Sequence, residues 1–152
     1  MISPLAIRPA LYETLSDSIK IWLTDLQAYD YAKIKKRLVK SEGFSEAGAE
    51  AACLECLRFF TLIKLYQKQV VPSKAADSFW HAFILHTEIY TDFCQYFFGY
   101  YLHHIPSDED NQEEILRLRA SQADTNSLNE QTFLQQIQRN KHSTQSLCVT
   151  LN

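Results

Sequence analysis

The chain has 152 residues, 46% of them hydrophobic and 22% charged, with a formal net charge of −3 and a pI near 5.9. This length and balance exclude wholesale disorder and give no reason to expect a bound ion or a disulfide as a condition of stability. The acidic balance removes the electrostatic footprint of a protein that binds nucleic acid mainly through phosphates. No run of apolar residues reaches the roughly 18 needed to cross a membrane.

In chain order, the first expected helix is opened by Pro9 and carries Leu11, Leu15, Ile19, Trp22, Leu23 and Leu26 at three- and four-residue steps. Asp30 can cap a second, basic helix, KIKKRLVK, which Gly43 ends. Ile34, Leu38 and Val39 interrupt its charges at helical spacing, so the run reads as the solvated face of an amphipathic helix rather than a nucleic-acid surface. Ser45 is the expected cap of a third helix of about twenty residues, with Ala49, Ala52, Cys53, Cys56, Leu57, Phe60 and Ile63 along its buried stripe.

Pro72 breaks the chain, and Ser73 can cap a fourth helix carrying FWHAFIL. Beyond a hinge at Leu85-His86, Thr87 is the expected cap of a fifth helix that runs through an aromatic stretch toward His104 and stops before Pro106. Ser107 and the acids that follow it have the pattern of another N-terminus, opening a sixth helix through EEILRLRA. A last helix has Leu128, Phe133, Leu134 and Ile137 as apolar handles, and residues 141–152 read as a mobile tail. With three glycines, four prolines and no alternating β-branched runs, the expected fold is all-α. It is a compact bundle of about six to seven helices forming one domain over residues 1–140, with a central antiparallel helical hairpin.

The stretch Asp77 to Pro106, DSFWHAFILHTEIYTDFCQYFFGYYLHHIP, holds four of the five histidines and one of the two tryptophans. Asp77 and His81, four residues apart, share a helix face. If the two helices fold back at Thr87, Cys94 comes level with His81. The three then offer O, N and S donors suited to zinc or another transition metal, or a cysteine nucleophile with a His-Asp relay. The same residues sit among Trp80, Phe83, Ile84, Tyr90 and Phe97, where an Asp-His hydrogen bond and a small buried thiol serve packing alone, and this structural reading leads.

Along a straight helix His104 lies about 15 Å from Cys94, at 1.5 Å per residue. The His103-His104 end is therefore a separate feature unless Gly99 makes a sharp bend. The pair Cys53-Leu-Glu-Cys56 has CxxC spacing, but it lies inside a helix and on the apolar stripe, so it reads as core. The four cysteines in apolar or tail contexts, with no basic start and long apolar core at the N-terminus, suit reduced thiols and a cytoplasmic location.

The succession VPS, then D-x-FWHA-x-IL-x-T-x-x-Y, then C-x-x-x-FG-x-x-LHH-x-P resembles the signature of the glycine-rich domain-containing protein-like family over about Lys33 to Pro106. Its most specific positions are Asp77, Trp80, His81, Thr87, Tyr90, Cys94, Gly99, His103 and His104. Phe83, His86 and Phe93 stand where such proteins usually carry a histidine, an acid and an aspartate. The resemblance implies a small all-helical domain and no particular reaction.

The expected function is that of a small non-enzymatic interaction or regulatory module that binds another protein, without nucleic acid, membrane or cofactor. The alternative is a metal-dependent or Cys-His enzyme centred on Asp77, His81 and Cys94, with His86, His103 or His104 as accessories.

Overall fold

The computed structural model describes residues 5–105 and 111–134, together with the backbone of 147–148. Among these residues the chain forms seven helices and one two-stranded ladder: α1 Pro9–Thr14, α2 Asp17–Ala28, α3 Ala32–Ser41, α4 Glu46–Tyr66, α5 Lys74–Leu85, α6 Thr87–Phe97, β1 His104–Ile105, α7 Gln112–Thr132 and β2 Leu147–Cys148. The fold is the all-α bundle expected from the sequence. None of the described helices is long and apolar enough to cross a membrane.

Four boundaries differ from the sequence expectation, each for a local reason. The first expected helix is two. Leu15 is extended at ψ 147, and the Ser16 side chain accepts from Ile19 N, so α2 starts afresh on its own cap. Thr87 is the first helical residue of α6 rather than its cap, because the α5–α6 corner is the single residue His86, whose Nδ1–H donates to Ala82 O at 3.0 Å.

α6 ends at Phe97 and does not run on toward His104. Gly99, at φ +77, takes the left-handed conformation, and its N–H donates back to the Cys94 and Gln95 carbonyls. The two last expected helices are one, α7, capped by Asn111, whose Oδ1 accepts from Glu113 N and Glu114 N. Ser107, Pro106, Ile137 and all of the 141–152 tail except the backbone of 147–148 lie outside the described residues. That backbone pairs antiparallel with His104–Ile105.

Other boundaries follow the sequence. The Asp30 carboxylate accepts from Ala32 N at 3.0 Å, and Gly43 closes α3 at φ +73, with Phe44 N donating to Leu38 O. Ser45 and Ser73 cap α4 and α5 through Gly48 N and Ala76 N.

α4 runs through the middle of the bundle. Its expected stripe is buried, and toward its C-terminal half Arg58, Phe59, Thr61 and Leu62 are buried as well, so this helix is covered on several sides. α5 and α6 fold against each other and against α4. Phe83 meets Tyr90 and Phe93 at 5.2 and 4.8 Å between ring centroids, Phe59 meets Trp80 at 5.2 Å, and Phe60 meets Phe93 at 5.4 Å. Such offset and edge contacts add to what area burial alone contributes.

The N-terminal segment ties α7 to this core. Arg8 N donates to Thr132 O and Leu134 N to Ala6 O, both at 2.8 Å. The wholly buried Phe133 lies under the Arg58 guanidinium at 5.1 Å, while Arg58 Nε donates to Leu5 O. Of the apolar handles expected for the last helix, Leu128 and Phe133 are buried and Leu134 is exposed.

Candidate functional site

The histidine-rich stretch is organised around Trp80. Its ring is fully buried, and its Nε1–H donates to the Tyr90 hydroxyl at 2.8 Å; that hydroxyl donates in turn to Leu102 O at 2.5 Å. These bonds join α5, α6 and the segment that follows the Gly99 turn. They satisfy the polar atoms that two large aromatic residues carry into the core.

Because the chain reverses at Gly99, His104 returns to α5. Its ring packs on Trp80 at 4.4 Å between centroids, and its Nε2–H donates to Asp77 Oδ1 at 2.8 Å. The bend at Gly99 thus joins the two ends of the stretch, which a straight helix would have kept apart.

The carboxylate of Asp77 is therefore bonded to His104 rather than to its helix neighbour His81. His81 is exposed, its ring set edge-on to that of His104 at 5.2 Å. Cys94 is 1% exposed. Burial pushes its thiol up from the ordinary value, while hydrogen bonding with the Leu102 backbone and the Tyr90 side chain acts in the opposite direction. An exposed imidazole and a buried thiol do not form a nucleophile and its base.

Among the described residues no group of three or more His, Cys, Asp or Glu side chains is arranged to hold a metal ion. Asp77, His81 and Cys94 thus do not converge as ligands of one ion must. His103 is exposed, with its ring 4.7 Å from that of Tyr101, and His86 closes the α5–α6 corner. Phe83 and Phe93, which stand where the resembled signature has a histidine and an aspartate, are buried aromatics of the core. Cys53 and Cys56 are likewise buried, and burial pushes the Cys53 thiol up to about 12.

A different concavity lies where the α2–α3 corner, α3 and the start of α4 border an open cleft of about 780 Å³. Tyr29 and Tyr31 sit at one end. Lys35, Lys36 and Lys40 come from α3, and Glu46 and Glu50 face them from the first turns of α4. Lys35 pairs with Glu50 at 3.0 Å, whereas Lys36 and Lys40 have no ion-pair partner among the described residues. Burial, with Asp92 and Asp30 nearby, raises the Tyr29 hydroxyl above its ordinary value.

Among the described residues no histidine or cysteine lines this cleft, whose polar side chains can hold an extended polar surface. The sequence carried its trace in KIKKRLVK, which reads as a solvated face because one helix does not reveal what stands opposite. The acidic wall comes from α4, and only the turn at Gly43 brings the two together.

A family model matches residues 23–138, from α2 through α7, and covers well over half of the chain. The chain belongs to the UCP032817-like family. This corrects the resemblance drawn from the WHA and LHH motifs, since the family that matches is not the glycine-rich domain-containing protein-like one. In this UCP032817-like chain the matched region contains both the Trp80 network and the α3–α4 cleft. No curated protein and no solved structure matches it.

Proposed function

We propose that this UCP032817-like protein is a non-enzymatic interaction module that binds another protein through the α3–α4 cleft. The observation that carries the reading is a separation. Asp77, Trp80, Tyr90 and His104 hold α5, α6 and the Leu102–Ile105 segment together through hydrogen bonds, while the open cleft is lined by lysines, glutamates and tyrosines. Its two charged walls suit a polypeptide segment carrying both signs of charge, because opposed potentials fix register and suppress wrong partners. The buried thiol of Cys94 weighs against the enzyme alternative.

The test is site-specific photo-crosslinking in the producing cell, with a photoreactive side chain placed at Lys36 in one protein and at His81 in another. A discrete protein adduct from position 36 and none from position 81 is the expected result. Discrete adducts from position 81 alone would overturn the reading.

A further inference from the structure

α7 meets the body of the protein through a strip that is polar where an apolar one would be usual. Gln122, Thr125, Asn126 and Asn129 recur at three- and four-residue steps and so share one face of the helix. Opposite them stand Glu55, Phe59 and Leu62 of α4 and the Val71–Ser73 connection, and together these enclose a narrow cavity of about 20 Å³. That volume accommodates about one water molecule and nothing much larger.

Several polar groups around the cavity are already matched. Thr125 Oγ1 accepts from Val71 N at 2.9 Å and donates to Ser121 O at 2.8 Å. Ser73 Oγ accepts from Ala76 N and also hydrogen-bonds the Glu55 carboxyl, which burial pushes above its ordinary value. Two lining residues carry buried atoms that the protein does not satisfy: Gln122 Nε2, a donor, and Asn129 Oδ1, an acceptor. Leaving both unmatched would be expensive, and native proteins seldom do so.

The pairing of one donor with one acceptor defines the occupant. An anion would satisfy Gln122 and oppose Asn129, and a cation would do the reverse; a neutral molecule that both accepts and donates satisfies the two at once. We infer that this cavity is a built site for a single ordered water, which accepts from Gln122 Nε2, donates to Asn129 Oδ1 and has the Glu55 carboxyl as a further partner. α7 is then docked on α4 by a bridging solvent molecule as well as by direct contacts.

The experiment is an atomic-resolution crystal structure of the full chain, joined to water–amide cross-relaxation measured in solution for the wild type and for a Gln122→Met/Asn129→Leu double variant. Expected are one water within hydrogen-bond distance of both atoms and long-lived cross-peaks from water to the Gln122 side-chain amide. In the double variant the corresponding water should be lost, with the helical circular dichroism unchanged. A wild-type structure in which the two amides bond each other or turn to solvent would overturn the inference, as would a metal or halide ion in the cavity. The wild-type arm decides the matter even if the double variant fails to fold.

Discussion

His104 Nε2 lies 2.8 Å from Asp77 Oδ1 across 27 residues of sequence, with only 12% and 25% of the two side chains exposed. This bond closes the loop that the Gly99 turn begins, and it holds β1 against the first turn of α5. Hydrogen bonds to a charged partner contribute more than neutral ones, so a double-mutant cycle of Asp77→Asn and His104→Gln should return a coupling of about 1–2 kcal/mol in urea unfolding. Additivity of the two single changes would show that the pair is incidental.

Trp80 is the anchor of the same network. Trp80→Ala should cost about 3–5 kcal/mol, because the cavity it leaves is surrounded by Phe59, Tyr90 and the His104 ring. Tyr90→Phe, which keeps the ring but leaves Trp80 Nε1 and Leu102 O without their shared hydroxyl, should cost about 1–3 kcal/mol. Denaturant midpoints measure both, and a wild-type-like midpoint for Tyr90→Phe would mean that the two groups find other partners.

Gly99 illustrates how much of the site was legible in the sequence and where that stopped. Glycines and serines marked the ends of α3 and the starts of α4 and α5, because their effects are local: a side-chain oxygen on a free N–H, or a left-handed φ. The buried stripe of α4 followed from periodicity. The meeting of His104 with Asp77 did not: Gly99 marked where a sharp bend would join the two ends, but aromatic periodicity continues through Phe97-Phe98, and the straight helix was the expectation. Likewise, Glu46 and Glu50 show their relation to Lys36 and Lys40 only once two helices have packed.

No atom stands within 4 Å of a Cβ built at Gly99, so the cost of Gly99→Ala is conformational rather than steric. At φ +77 it should destabilise the protein by about 1–2 kcal/mol. Gly99→Asn, which tolerates the left-handed region better, should recover part of that loss. Equal midpoints for the two variants would argue against this origin of the turn.

The buried thiols set an alkaline limit. The Cys53 pKa rises from an ordinary 9.0 to about 12 through burial, so the folded state favours the neutral thiol. Its stabilising contribution is complete below pH 9 and is lost as pH climbs toward 12, since the unfolded chain releases the proton first. Cys94 and Tyr31 are raised by burial as well and act in the same direction. Unfolding midpoints should therefore fall above pH 9, and Cys53→Ala should flatten that decline. Alkylation of Cys53 and Cys94 should be slow in the native protein and rapid in denaturant, and fast native alkylation of Cys94 would contradict its placement.

The central claim is that recognition belongs to the α3–α4 cleft and that the Asp77–His104 region is structural support. The most direct measurement is the affinity of the partner captured from position 36, determined for a Lys36→Glu/Lys40→Glu variant and for a His81→Ala/Cys94→Ala variant of the full chain. The account predicts at least a tenfold loss for the first, which is about 1.4 kcal/mol, and wild-type affinity for the second once both are shown to be folded. Undiminished binding by the charge-reversed cleft, with loss in the His81/Cys94 variant, would contradict it.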